Sequence, residues 1–293
     1  MRLLHHVGIS GGKDSTALLL WAIHESGIPR ESLRVTFCDT GNEDPLTYAH
    51  LDLLKRTVIE PAGIISGFVT LLPELDFFEL ALKKKRFPSR VAQFCTTELK
   101  IKPTKEWMAQ QWALGHELVI LNGKRLGESA ERKRAMKDQP ARGFSDYWGC
   151  EEWMPLRDWS LEDVFAIHRK YEVPLNPLYA MGAHRVGCWP CINCGKIEIR
   201  LVAKHRPEKI EAIAAVEKRF EDEQGRISTF FHGKTATKQY RTKSYTRKKD
   251  GTKWPVAPIH EIVKWAHTTR GGRQMILPLE ESKACFLNYT ACE

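Results

Sequence analysis

Several features are missing from this 293-residue chain. No run of about 18 apolar residues occurs, so no segment reads as a membrane-spanning helix. The first residues enter an apolar strand pattern at once, without the charged, apolar and small-residue zones of a secretion signal. The G-x-x-x-x-G-K-S/T spacing of a Walker A loop is absent, which excludes that form of nucleotide site. No internal repeat or extended low-complexity stretch occurs, which sets aside solenoids and disordered arrays. The chain is not short of core either, because this length closes one large α/β domain, or one domain with an appendage, without covalent staples. Size therefore does not account for the eight cysteines. With Cys38 and Cys150 standing free in ordinary surroundings, the expected compartment is a reducing cytoplasm, where so many thiols suggest metal or redox chemistry.

What the chain does have begins with Ser10-Gly11-Gly12-Lys13-Asp14-Ser15, set behind the apolar run Leu3 to Ile9 and ahead of Ala17-Leu18-Leu19-Leu20-Trp21. This reads as a strand, a glycine turn and a helix N-terminus, a geometry that points backbone N–H groups and the positive helix end at an anion. Phosphate or pyrophosphate is the natural guest, with Lys13 adding charge and Ser10 and Ser15 adding hydroxyl donors. A plain solvated Gly/Ser turn is the competing reading. The hexapeptide resembles the PP-loop of enzymes that split ATP into AMP and pyrophosphate while adenylating a substrate.

Over the first 190 or so residues, short apolar runs alternate with helical periodicity. Leu3 to Ile9, Leu33 to Cys38, Gly63 to Val69 and Glu117 to Leu121 read as strands, and Ser15 to Ser26, Pro45 to Ile59, Pro103 to Leu114 and Leu161 to Tyr171 as helices. That alternation predicts βαβ units in an α/β fold with a doubly wound, mostly parallel sheet. Ligands of such sheets sit beyond the C-terminal strand ends, where the Ser10 to Ser15 loop, Asp39 and Asn122-Gly123 gather. From about Arg200 the pattern changes to a long charged helix, Glu208 to Glu223, and a second near Ile259 to Ala266, which predicts an appended, largely helical extension.

The formal charge is +9, and it is uneven. Lys234, Lys238, Arg241, Lys243, Arg247, Lys248, Lys249 and Lys253 face only Asp250, with Tyr240, Tyr245 and Trp254 interleaved. Basic residues among aromatics suit a nucleic-acid backbone with base stacking, so nucleic acid, DNA before RNA, is the expected partner through 234–254. A solvated basic loop or a small polyanionic substrate are the alternatives.

Three further constellations carry chemistry. Asp39-Thr40-Gly41-Asn42-Glu43 follows the second strand, where the Asp39 carboxylate suits Mg²⁺ or a ribose hydroxyl, or else belongs to a simple turn. In Gly123-Lys124-Arg125-Leu126-Gly127-Glu128-Ser129-Ala130-Glu131-Arg132, the two guanidinium groups of Arg125 and Arg132 suit phosphate, with Glu128 orienting one of them, or else open a charged helix. Cys188-Trp189-Pro190-Cys191-Ile192-Asn193-Cys194 places three thiolates on one tight loop, as iron–sulfur clusters require, with zinc as the alternative metal. Its fourth ligand must come from elsewhere.

Taken in order, these segments resemble the phosphoadenosine phosphosulfate (PAPS) reductase family of PP-loop enzymes over roughly residues 1 to 195. The matching pieces are SGGKDS at Ser10, FCDTGNEDPLTY from Phe37, FCTTELKIKP from Phe94, the G-x-R-x-x-E-S-x-x-R series from Gly123, MPLRDWSLEDVF from Met154 and NPLYAMGAHRVGCWPC from Asn176. The resemblance implies an adenine nucleotide α-hydrolase-like domain over 1–198 and a basic C-terminal extension over 199–293. It implies ATP held by Ser10, Gly11, Gly12, Lys13, Asp14, Ser15, Asp39, Gly123, Arg125 and Glu128, with Mg²⁺ near Asp39. Lys13, Asp14, Asp39, Arg125 and Arg132 are then the catalytic candidates.

The family's iron–sulfur members bind a [4Fe–4S] cluster through a Cys-Cys pair ahead of a Lys and a Pro, and a later Cys-x-x-Cys. Here Cys95 matches the first of the pair and Thr96 replaces the second, with Lys100 and Pro103 in register. Cys188 and Cys191 match the later pair and Cys194 is extra, so the resemblance implies the set Cys95, Cys188, Cys191 and Cys194.

The sulfonucleotide reductases of the family carry a nucleophilic cysteine in a Glu-Cys-Gly-hydrophobic-His tail, and no such tail follows Cys194. A PP-loop, a cluster and a basic extension together resemble the ATP pyrophosphatase component of bacterial DNA phosphorothioation systems (the DndC/SspD type), which works with a cysteine desulfurase and other modification proteins. The expected activity is therefore adenylation of a nucleic-acid phosphate ahead of sulfur incorporation. The alternatives are an adenylyl or phosphoadenylyl sulfate reductase using Cys285 or Cys292, and a nucleic-acid-binding module with a degenerate nucleotide site.

Overall fold

Alternation of burial along the first strand organises the molecule. In the computed structural model, which describes residues 2–64, 67–225, 227–231, 238–241, 243–246 and 251–269, strand β1 (Arg2–Ile9) turns Val7 and Ile9 to one face of a sheet. Leu4 and His6 face the other side, with Leu4 in a separate apolar cluster and the His6 ring against Trp107. A strand buried on both faces belongs in the middle of a parallel sheet, and β1 lies there. It pairs in parallel with β2 (Leu33–Cys38), in register Val7 with Val35, and with β4 (His116–Leu121), in register Val7 with Leu121.

The six-stranded order is β3-β2-β1-β4-β6-β5, with β3 (Phe68–Leu71) and β6 (Cys150–Trp153) parallel to their neighbours and β5 (Arg142–Ser145) an antiparallel edge. This is the doubly wound, mostly parallel α/β sheet expected from the alternation. The third strand is displaced from its expected span of 63–69. Gly63 adopts φ +77° and closes a turn after the second helix, which pushes the extended segment to Phe68.

Helices α1 (Lys13–His24), α2 (Pro45–Leu54), α3 (Phe77–Lys83), the one-turn α4 (Phe94–Thr96), α5 (Lys102–Ala113), α6 (Ala130–Ala135), α7 (Leu161–Lys170) and α8 (Pro177–Ala180) connect and cover the strands. Apolar residues of α1, α2 and α7 pack on the face carrying Val7, Val35, Val119 and Leu121. Trp107 and Met108 of α5 cover Leu4, Leu118 and Ile120 on the other.

Beyond the sheet, α9 (Lys196–His205), α10 (Pro207–Gln224) and α11 (Ile259–Ala266) are joined by a two-stranded antiparallel ribbon of β7 (Lys243–Thr246) and β8 (Lys253–Val256). The described part of the extension is thus helical with one added ribbon. Its core is shared: Ile199, Phe220, Phe230, Ile262 and Trp265 form one apolar cluster with Phe77, Phe87, Leu178 and Trp189. Phe87 stacks edge-on against Phe220 and Phe230, with ring centroids 5.4 and 5.2 Å away. No described helix is long and apolar enough to cross a membrane.

Candidate nucleotide and thiol site

The order of strands reverses between β1 and β4, so the turns after these two strands open side by side at the C-terminal edge of the sheet. After β1, Gly11 takes φ +69°, and a Cβ there would lie 3.2 Å from Thr47 Cγ2, so glycine answers both the backbone angle and the space. Gly12 has no side chain to cap α1, so the N–H groups of its first turn other than that of Lys13, which the Tyr179 hydroxyl accepts, are left for an anion.

The loop is braced from within. Ser15 accepts the Ser10 N–H at 3.1 Å and donates its hydroxyl to the Gly12 carbonyl at 2.9 Å. The Lys13 N–H donates to the Tyr179 hydroxyl at 3.1 Å, while the Lys13 ammonium lies 5.3 Å from the Tyr179 ring centroid and 3.4 Å from the Asp14 carboxylate. Burial pushes the Tyr179 phenol up, so it stays protonated. His168 of α7 sets Nε2 3.0 Å from the Lys13 carbonyl and Nδ1 3.1 Å from the Val173 carbonyl. Burial pulls its pKa down, and a neutral ring donates to one of the two.

From the turn after β4, Gly123 passes against α1, where a Cβ would lie 3.4 Å from the Asp14 carbonyl. Arg125, almost wholly buried, donates from Nε to Asp14 Oδ1 at 2.5 Å and from Nη1 to the Trp159 carbonyl at 3.3 Å. Arg125 therefore holds the PP-loop aspartate in place. Glu128 and Arg132 pair with each other one turn apart on the surface, with Ser129 capping α6 between them. The structure thus places Ser10 to Ser15, Gly123 and Arg125 together, and sets Glu128 and Arg132 at the rim.

After β2, Asp39 accepts the Tyr48 hydroxyl at 2.7 Å and the Gly41 N–H at 2.9 Å. Its neighbour Glu43 is buried. It accepts the Thr40 hydroxyl at 2.8 Å, and the Cys188 thiol lies 3.7 Å from Glu43 Oε1. A backbone bridge joins Glu43 to Cys188, and the Trp189 N–H donates to the Asn42 carbonyl at 2.7 Å. The cysteine loop is thus laced directly onto the Asp39 loop.

Lys100 lies among these groups, its pKa raised chiefly by the Cys188 sulfur and further by Glu43 and Cys191. Burial raises the thiols of Cys95, Cys188 and Cys194, and the charge of Cys191 acts on each of the three. Cys194 belongs to, and Cys95 and Cys191 pack against, the apolar cluster that also holds Trp189, while the Cys188 thiol turns to Thr40 and Glu43. Among the described residues no three of His, Cys, Asp or Glu converge tightly enough for a single metal ion.

Several site residues carry no local signal in the sequence. Tyr179 and Asn176 lie inside a matching segment but give no sign of reaching the PP-loop 166 residues away, as Tyr179 does. Lys209 of α10 has its ammonium 3.1 Å from the Asn42 carbonyl, 2.8 Å from that of Glu43 and 2.8 Å from that of Trp189. Arg206 pairs with the buried Asp44, Nε to Oδ2 at 2.9 Å. Through these two cations the extension clamps both loops. Residues 234–237, 242 and 247–250 of the basic segment, and Cys285 and Cys292, lie outside the described residues.

The strand order, the open start of α1 and the cation-lined turn at the switch point define a nucleotide-binding α/β protein of the PP-loop kind. Residues 5–194 match the phosphoadenosine phosphosulfate reductase domain, and the chain belongs to that family. It is 28% identical to an uncharacterized 37.8 kDa protein of Escherichia phage 186, over 92% of this chain and 89% of that protein. It is 35% identical to the adenosine 5′-phosphosulfate reductase of Allochromatium vinosum over 99 residues, or 34% of this chain and 35% of that enzyme. Among solved structures, phosphoadenylyl-sulfate reductase from Candida auris, as a phosphate complex, aligns over 65% of this chain and 83% of its own with a TM-score of 0.45 and 18% identity.

Proposed function

We propose that this protein is a PP-loop ATP pyrophosphatase that adenylates a nucleic-acid phosphate, most directly one of DNA, to prepare it for sulfur. The observation that carries the reading is the glycine start of α1 at the sheet's switch point, with Lys13 beside it and Asp14 fixed by Arg125. The β,γ-phosphates of ATP lie in the Ser10 to Ser15 loop, with Mg²⁺ at Asp39. The acceptor oxygen attacks the α-phosphorus and pyrophosphate departs toward Lys13. The residues contribute charge neutralisation and alignment. A cysteine desulfurase supplies the sulfur, and other modification proteins complete the system.

The proposed [4Fe–4S] cluster rests on the Cys188, Cys191 and Cys194 loop and on Cys95, which packs against the same apolar cluster as Cys191 and Cys194. A cluster spreads its ligands over four irons, so the thiols need a shared neighbourhood and not a common centre. Cys95, Cys188, Cys191 and Cys194 would hold it, and when bound it supplies electron transfer or a site for sulfur beside the Asp39 loop.

The second reading is reduction of adenylyl or phosphoadenylyl sulfate, favoured by the match to the Allochromatium vinosum reductase. That chemistry needs a thiol free to attack sulfur. Each of the described cysteines Cys38, Cys95, Cys150, Cys188, Cys191 and Cys194 is partly or wholly buried, so the attacking thiol of such a reductase would be Cys285 or Cys292, outside the described residues. Pyrophosphate release from ATP by anaerobically purified protein, lost in Lys13→Ala, is the expected result. Sulfite formed from adenylyl sulfate without pyrophosphate release from ATP would select the reductase. Salt-sensitive DNA binding with neither product would select a binding module with a degenerate nucleotide site.

A further inference from the structure

A second basic surface stands beside the thiols, in a part of the chain that composition did not mark. Between Glu79 and Glu98 there is no acidic residue, and Lys83, Lys84, Lys85, Arg86 and Arg90 fall in that interval. All five are exposed. Lys83 lies 3.4 Å from Glu74 and Lys84 2.7 Å from Glu98, solvent-facing pairs of the weak kind that a phosphate can displace. Three of the cations sit at the end of α3, where the helix C-terminus favours positive charge. The other two lie beyond the helix, so its dipole does not account for them. Lys85 takes φ +55°, the left-handed position that glycine fills most easily, and so the helix ends on a cation. Arg90 and Val91 form the tip of a tight turn closed by paired Ser89 and Ala92 backbone bonds of 3.1 Å, with Val91 97% exposed.

This loop is anchored at both ends to parts that matter. The Arg86 guanidinium carbon lies 5.5 Å from the Phe94 ring centroid, on the turn that carries Cys95. Phe87 packs on Phe230 and donates its N–H to Ser228 Oγ at 3.3 Å. Phe231 is the last described residue before the basic segment that starts at Lys234. One face thus joins the 83–90 cations to the Cys95 turn, at the point where the chain leads into the basic segment.

We propose that residues 83–90 form a phosphate-backbone track that guides a nucleic-acid strand across the Cys95 turn toward the nucleotide site. The inference rests on the proposed nucleic-acid substrate and names the surface that receives it. Five exposed cations within eight residues, two of them in displaceable pairs with Glu74 and Glu98, suit a repeating anion rather than a single phosphate. Release of the counterions condensed on such a strand gives a steep salt dependence.

The test uses the full chain and fluorescein-labelled single-stranded DNA, with the matching duplex and RNA in parallel. Binding is followed by anisotropy across a salt series for wild type, Lys85→Gln/Arg90→Gln, Arg90→Gln alone, and Arg2→Gln/Arg34→Gln at the opposite edge of the sheet. The expected result is affinity lower by roughly tenfold in the first variant and a smaller drop in Arg90→Gln. The log–log salt slope is expected to become shallower by about 0.7 for each single-strand phosphate that the variant no longer neutralises. The opposite-edge control keeps the wild-type slope, and pyrophosphate release from ATP without DNA is unchanged in every variant. Equal slopes in wild type and both loop variants overturn the track while leaving the proposed reaction standing. Failure of the wild-type chain to bind any of the three probes overturns the nucleic-acid reading and the track together.

Discussion

Arg125 Nε donates to Asp14 Oδ1 at 2.5 Å, an ion pair between residues 111 positions apart that locks the turn after β4 to the first turn of α1. The guanidinium is buried while the carboxylate keeps some exposure, so removing Asp14 leaves a buried charge without its complement, whereas removing Arg125 leaves Asp14 beside Lys13. Breaking such a pair costs about 3–5 kcal/mol when both charges are deeply buried, and less here because Asp14 meets solvent. Arg125→Met is expected to lower the urea midpoint and to abolish measurable pyrophosphate release. Asp14→Asn, which keeps shape and a hydrogen bond, is expected to fold with a smaller loss of stability. An Arg125→Met protein with wild-type turnover would show that the pair does not serve the nucleotide loop.

Tyr179→Phe removes only the hydroxyl that accepts the Lys13 N–H. The ring stays beneath the Lys13 ammonium, so the expected loss is that of one hydrogen bond, about 1 kcal/mol, or roughly a fivefold rise in KM for ATP. Titration of ATP against the variant checks this, and an unchanged KM contradicts it.

Lys209→Met removes the donor shared by three buried carbonyls; that of Asn42 keeps the Trp189 N–H, and those of Glu43 and Trp189 lose the ammonium. An unsatisfied buried polar group costs about 1–3 kcal/mol, so a loss on the order of 3 kcal/mol in chemical unfolding is expected. Because the same ammonium joins the Asp39 and Cys188 loops, the variant purified anaerobically is also expected to retain less of the iron of the proposed cluster. Full stability with full iron content would remove Lys209 from the clamp.

Acid sensitivity follows from two buried histidines. Burial lowers His6 and His50 each to about 4 from an ordinary value of 6.5, and a proton on the neighbouring His168 would oppose one on His50. A histidine depressed in the folded state binds its proton more readily when unfolded. Stability is therefore full above the ordinary histidine pKa and is lost as pH falls from about 6.5 toward 4. Melting temperature is expected to drop across that window, and the drop to be reduced in His6→Gln. A flat profile from pH 7 to about 4.5 contradicts the assignment.

How much of this was legible depends on the range of each interaction. The β1, α1 and β2 segments declare themselves locally, because alternating burial and a double glycine before an apolar helix leave few other solutions. The β5–β6 hairpin did not, since Arg142–Ser145 and Cys150–Trp153 are only four residues each, and β5, alternately exposed and half-buried at the sheet edge, needs no apolar periodicity. Arg125 was a candidate from its place after the fourth strand, yet its partner Asp14 could only be found in space. The same holds for the shared core of Phe77, Phe87, Phe220 and Phe230, whose members are individually unremarkable phenylalanines far apart in the chain. Lys209 and Arg206 read as charges on an amphipathic helix start, and nothing local distinguishes a clamp from a solvated face.

Pyrophosphate release from ATP, measured on anaerobically purified protein with and without DNA beside a Lys13→Ala control, tests the central claim most directly. Release that DNA stimulates and that Lys13→Ala abolishes is the predicted result. No release from ATP, with sulfite formed from adenylyl sulfate, contradicts it and turns the same nucleotide loop to reduction.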